Sequence, residues 1–193
     1  TIALVGDNGS GKSTLLKILS GMYLDYEGSI LIDGTELRDI DQTSLSKKVS
    51  VIFQDYNKYQ FTVKENIGFG DILDFNNINK IKKSAELANA DIFINKLNKK
   101  YEQQVGTWFA GGTQLSGGQW QKLAISRLFM NDKASIYILD EPTSSLDIIS
   151  EHNFFLDFSK NISNSIVIFS THRFVSAKFS NKILVLDNGK LIE

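Results

Sequence analysis

The chain has 193 residues, 42% of them hydrophobic and 22% charged, with a formal net charge of −1, no cysteine and two histidines. This is globular usage with length enough for a core of its own, and it excludes a disulfide framework and argues against a structural zinc site. Near-neutral charge supplies no general drive toward nucleic acid or anionic lipid, and no apolar run approaches the roughly 20 residues that cross a bilayer.

In chain order, the apolar run "IALV" reads as a first strand and is followed at once by "GDNGSGKST", starting at Gly6. The segment "KSTLLKILSG" then predicts a helix, with Gly21 as its terminator. "SILIDG" and "VSVIFQ" predict further strands. From about Phe61 to Asn131 the strand signal disappears, and "NNINKIKKSAELANADIFINKL" is helical and heavily charged. "LSGGQ" leads into the amphipathic "WQKLAISRLF", where Ala124, Ile125, Leu128 and Phe129 share a face. "SIYILD", "SIVIFS" and "KILVLD" complete the strands, and Pro142, the chain's one proline, follows a strand end. Several of these runs are apolar throughout, as in strands buried on both faces of a mostly parallel sheet. Alternating strands and helices predict an α/β fold. The expected organisation is an α/β core over 1–60 and 132–193 with a helical subdomain, 61–131, inserted. The chain starts at Thr1 directly on a strand and stops at Glu193 just after another, so it is expected to be a piece of a longer protein, truncated at both ends.

The spacing Gly-x4-Gly-Lys-Ser is met by Gly6, Gly11, Lys12 and Ser13, with Asp7, Asn8, Gly9 and Ser10 between. Glycines let successive backbone N–H groups turn toward phosphate oxygens, and the helix that follows offers its positive end to the same anion. Lys12 would reach the β- and γ-phosphates, the Ser13 hydroxyl would ligate Mg²⁺, and Thr14 would bond the α-phosphate. A glycine-rich turn with an incidental lysine is the plainer reading of the same residues. Asp140 and Glu141 end the apolar strand "SIYILD". Such a pair can hold Mg²⁺ through Asp140, usually by way of water, and aim Glu141 at an attacking water; the alternative is an acidic turn. At "LSGGQ", Ser116, Gly117, Gly118 and Gln119 make a second anion-binding helix start, or a plain N-cap at Ser116. One nucleotide offers its γ-phosphate once, and Lys12 already claims it. The second site therefore implies a nucleotide shared between two molecules.

In this order, "GDNGSGKST", "LSGGQ", "ILDEP", "SSLD" and "STH" resemble the nucleotide-binding domain of ATP-binding-cassette (ABC) transporters, over nearly the whole chain. The resemblance implies a P-loop NTPase (RecA-like) core and a head-to-tail dimer enclosing two Mg-ATP. Each nucleotide would lie between one subunit's phosphate loop and the signature Ser116–Gln119 of the other. It implies that Gln54 senses Mg²⁺ and contacts the membrane domain, that Asp147 joins the two sites, and that His172 touches the γ-phosphate. A transmembrane domain fused upstream and a place at the cytoplasmic face of the cell membrane are implied as well, with no nucleic-acid partner. The stretches "FQDYNKYQFTVKENIGFGD" and "GSILIDGTELRDID" look more like exporters than importers. "GTWFAGGTQLSGGQWQK" is similar to the branch of bacterial lantibiotic and peptide exporters, and Trp120, where Arg or Lys is commoner, fits that branch. Thr107 stands where exporters often carry Glu. The family's adenine-stacking aromatic falls before Thr1, and neither Tyr23 nor Tyr26 replaces it. Rival readings are a soluble non-transport ABC ATPase acting on DNA or the ribosome, and a degenerate cassette that binds without hydrolysing. The absence of a long coiled-coil insertion argues against the DNA-repair members. Lys12, Gln54, Asp140, Glu141 and His172 together argue against a degenerate cassette.

Overall fold

The computed structural model describes residues 1–144, 146–162 and 164–193. They fall into two compact units, one of Thr1–Gln54, Lys133–Pro142 and Ser163–Glu193, the other of Asp55–Asp132 and Thr143–Ile162.

Among the described residues the first unit carries β1 (Ile2–Val5), β2 (Leu31–Ile32), β3 (Thr35–Glu36), β4 (Val49–Ile52), β5 (Ile136–Asp140), β6 (Ile166–Thr171), β7 (Lys182–Asp187) and β8 (Lys190–Leu191). Six of them form one sheet in the order β4-β5-β6-β1-β7-β8, parallel except for the β7–β8 pair. The central strands are the apolar runs of the sequence. Within them Ala3, Leu4, Ile138, Leu139 and Phe169 are at most 1% exposed. "SILIDG" departs from this pattern. Its Leu31 and Ile32 pair antiparallel with Glu36 and Thr35, outside the main sheet. Asp33 and Gly34 between them both have positive φ (51° and 81°), which makes the tight two-residue hairpin that an Asp-Gly step favours.

Helices α1 (Lys12–Leu19) and α2 (Gln42–Lys48), and α8 (Phe174–Ala177) after β6, belong to the same unit. Leu16 of α1 is fully buried in a cluster with Leu4, Leu37, Leu45, Val49, Ile138 and Leu186. Truncating a side chain so placed to Ala costs about 2–5 kcal/mol. The helix stops where expected. Gly21 (φ 77°) donates its N–H to Ile18 O at 2.9 Å, and Met22 donates to Lys17 O at 3.0 Å, a Schellman closure.

The second unit contains α3 (Val63–Gly68), α4 (Ile78–Leu87), α5 (Asp91–Ile94), α6 (Gly117–Met130) and α7 (Ile148–Asn161). In α6 the expected face of Ala124, Ile125, Leu128 and Phe129 is buried, and burial extends to Trp120, Gln121, Ser126 and Met130. The Phe129 ring meets Phe158 of α7 at 5.6 Å between centroids. Arg127 spreads its guanidinium over Asn66 O (2.7 Å), Asn66 Oδ1 (2.9 Å) and Asn57 O (2.8 Å), and stacks 4.8 Å from the Tyr59 ring centre. Burial pulls its pKa down to about 10, so it stays a cation at neutral pH.

Candidate active site

The parallel sheet places the site. Strands β4, β5, β6 and β1 are neighbours in that order, and all four run the same way. The residues just past their carboxyl ends are Gln54, Glu141, His172 and the loop from Gly6, so residues scattered through the sequence gather along one edge. Ligands of open parallel sheets bind at this edge.

Gly6 starts the loop because nothing larger fits. A Cβ there would lie 2.2 Å from Leu186 O and 2.7 Å from Ser10 Oγ. Gly11, at φ 101°, is the N-cap of α1 and makes no side-chain cap bond, so the first N–H groups of that helix are left for another acceptor. Lys12 is only 5% exposed and donates to Gly6 O at 2.8 Å and Asp7 O at 2.9 Å. Among the described residues it forms no ion pair. A buried cation served only by carbonyls is an unbalanced charge, and an anion would complete it. Ser10 Oγ is also buried and, among the described residues, has no hydrogen-bond partner. The loop therefore fits a polyphosphate.

At the end of β5 the carboxylates diverge in setting. Asp140 is 3% exposed and accepts a 2.5 Å hydrogen bond at Oδ1 from Ser170 Oγ. Glu141 adopts φ 46°, a conformation uncommon for a residue with a Cβ. Its Oε2 accepts from Gln54 Nε2 at 3.1 Å, and its Oε1 lies 3.3 Å from His172 Nδ1. Backbone strain at such a position is a frequent mark of functional sites.

Ser13 and Thr14 follow Lys12 in the first turn of α1, and the signature residues and Asp147 lie in the second unit. Ser116 is the N-cap of α6 in a full capping box: Gln119 N donates to Ser116 Oγ at 3.3 Å, and Ser116 N donates to Gln119 Oε1 at 2.9 Å. The plain capping role weighed for Ser116 is thus present, and Ser116 and Gly117 are also solvent-exposed. Asp147 is the N-cap of α7, accepting from Ile149 N and Ser150 N at 3.0 Å each. Hydrogen bonds from Ser150, first from its hydroxyl and then from its backbone, hold the Asp147 carboxyl below its usual range.

Sequence reasoning missed two buried polar contacts. Ser170 is one, since its partner Asp140 is visible only through the β5–β6 register. The other is Thr143 Oγ1, which donates to Glu151 Oε1 at 2.5 Å, tying the segment after Pro142 to the first turn of α7. Glu151 is 1% exposed within α7, and its burial is visible only once the face it occupies is known.

A parallel sheet with a glycine loop and buried lysine after one strand and a carboxylate pair at the end of another defines a P-loop NTPase core. The family profile described as ABC transporter matches residues 1–144, and the chain belongs to that family, whose ATP-binding proteins are ATPases. The subtilin transport ATP-binding protein SpaT of Bacillus subtilis is 43% identical over 191 residues, covering 99% of this chain and 31% of that relative. The nisin transport ATP-binding protein NisT of Lactococcus lactis subsp. lactis is 44% identical over 191 residues, covering 98% and 31%. A solved structure of a bacterial Atm1-family ABC exporter with ATP bound superposes with a TM-score of 0.88 at 33% identity, over 100% of this chain and 32% of the other. The chain thus spans about a third of the length of the relatives it matches. Among the described residues, no helix is long and apolar enough to cross a membrane.

Proposed function

We propose that the chain is the ATP-hydrolysing domain of a peptide exporter and works as a head-to-tail dimer enclosing two Mg-ATP. One observation carries the reading. The Glu141 carboxylate, directly after Asp140, is met at one oxygen by Gln54 (3.1 Å) and at the other by His172 (3.3 Å). A carboxylate fixed at both oxygens is preorganised to take a proton from an attacking water. Lys12 and the backbone of Gly6–Gly11 bind the β- and γ-phosphates, Thr14 bonds the α-phosphate, and His172 contacts the γ-phosphate. Ser13, Gln54 and Asp140 would hold Mg²⁺, which when bound neutralises phosphate charge. Among the described residues no group of three His, Cys, Asp or Glu could hold a metal by itself. This fits Mg²⁺, which normally relies on one or two carboxylates plus substrate phosphates.

In the dimer, Ser116–Gln119 of the second copy closes over the γ-phosphate and Asp147 links the two sites. The exposed start of the 14-residue helix α6 supports that role, because its N-terminal dipole favours an anion. Similarity to subtilin and nisin transport proteins supports a peptide cargo. The remaining length of those relatives supports a fused transmembrane domain, with this domain at the cytoplasmic face of the membrane, and the net charge of −1 gives no electrostatic drive toward a nucleic-acid partner. The test is Glu141→Gln in the whole protein, which keeps the size and loses the basicity. Hydrolysis should fall by roughly 10²–10⁴ while an ATP-bound dimer accumulates on gel filtration. Hydrolysis near wild type with no ATP-dependent dimer overturns the reading.

A further inference from the structure

Ser170 stands in β6, an interior strand of the sheet, 0% exposed, with Asp140 beside it on β5 and Leu4 beside it on β1. Two residues earlier, on the same face of the sheet, the row reads Ile2, Ile168 and Ile138, all apolar. A hydroxyl in so dry a row is costly unless its hydrogen bonds are made, and here both its roles are used. A serine hydroxyl has one proton to give. Ser170 gives it to Asp140 Oδ1 at 2.5 Å and accepts the N–H of Glu141 at 2.9 Å. One oxygen therefore holds the side chain of the first carboxylate and the backbone of the second.

The backbone bond matters because Glu141 sits at φ 46°, where its Cβ is crowded and an anchor must offset the strain. The direction in which the Glu141 side chain leaves the strand follows from that turn. So do its contacts with Gln54 and His172. We infer that Ser170 is a positioning residue for ATP hydrolysis, fixing the Asp140 carboxylate and the strained turn that presents Glu141. The inference rests on the ATPase reading of Glu141 given above. Ser170 touches neither nucleotide nor water in this role and acts through its two neighbours.

The test uses the whole protein with Ser170→Ala and Ser170→Thr, the second of which keeps the hydroxyl. In nucleotide-free protein, hydrogen exchange at the Glu141 amide should quicken in Ser170→Ala while Ile138 and Leu139 exchange as before. In turnover, Ser170→Ala should lower kcat about ten- to a hundredfold, the worth of a hydrogen bond to a charged group, with KM for ATP within about threefold. Ser170→Thr should restore most of both properties. Should Thr prove too bulky to fold, Ser170→Cys, a weaker donor, should fall between Ala and wild type. A kcat within twofold of wild type in Ser170→Ala overturns the inference. So does an exchange increase spread evenly over β5, the mark of simple loosening. Glu141→Gln separates the two levels. If it is slow while Ser170→Ala is normal, only the positioning role falls; if it hydrolyses normally, the ATPase reading falls and the positioning role with it.

Discussion

Gln54 donates its side-chain amide to Glu141 Oε2 at 3.1 Å, joining the residue past β4 to the residue past β5. The donor is the amide nitrogen, so the amide oxygen stays available to a cation, and one side chain can serve both. Gln54→Ala should therefore weaken catalysis more than binding. Losing a hydrogen bond to a charged group predicts a kcat about ten- to a hundredfold lower. Phosphate release measured against ATP concentration checks it. An unchanged kcat with a raised KM would assign Gln54 to binding alone.

Lys12 makes the complementary case. Its ammonium is buried and, among the described residues, bonded only to Gly6 O and Asp7 O, so an anion would balance its charge. Lys12→Ala should weaken Mg-ATP binding by roughly ten- to a hundredfold, the cost of one charge-assisted contact. Calorimetry on the whole protein measures this directly. Equal affinities in variant and wild type would mean that the loop does not hold phosphate through Lys12.

These residues were readable from sequence because the loop and the strand ends are local patterns. The runs at Ile2–Val5, Ile136–Asp140 and Ile166–Thr171 are mostly apolar, as strands of a parallel sheet are, and the polar residues at and just past their carboxyl ends mark the site edge. What sequence did not reveal depends on register or on contacts distant in the chain. Ser170 meets Asp140 only because β5 and β6 align them. The positive φ of Glu141 matches no preference of that residue type. The two-residue strand Lys190–Leu191 is too short to leave a pattern. The packing of Phe158 on Phe129 comes from tertiary contact, which helical periodicity cannot report.

The capping boxes give a pH prediction. Thr62 caps α3, accepting from Glu65 N at 3.3 Å, while Glu65 Oε2 accepts from Thr62 N at 2.8 Å. The Thr62 hydroxyl, and next its backbone N–H, hold the Glu65 carboxyl below its ordinary value of 4.5. A depressed carboxylate stabilises the fold above its unfolded pKa, and that contribution is lost as pH falls through the folded one. Amide protection over Val63–Gly68, corrected for intrinsic exchange, should be constant down to about pH 4.5 and decline below it. Glu65→Gln keeps the box but cannot titrate, so its protection should not show this decline. A parallel decline in both proteins would place the pH response elsewhere. Thr62→Ala should cost about 0.5–2 kcal/mol of stability.

The last prediction concerns the shared site. Lys12 and Ser116 both suit a γ-phosphate, and in the proposed head-to-tail dimer they come from different chains. Take Lys12→Ala in one chain and Ser116→Arg in the other, where the bulky cation blocks the signature. Each homodimer then carries two damaged sites. In the mixed dimer one composite site collects both lesions, while the other pairs an intact phosphate loop with an intact signature. Mixing two nearly inactive proteins should therefore restore one trapped nucleotide per dimer. Binding is the safer readout, because coupled sites can bind without turning over. If each chain instead formed its site alone, both chains of the mixed dimer would remain damaged. No nucleotide would then be trapped, and the shared-site arrangement would have to be abandoned.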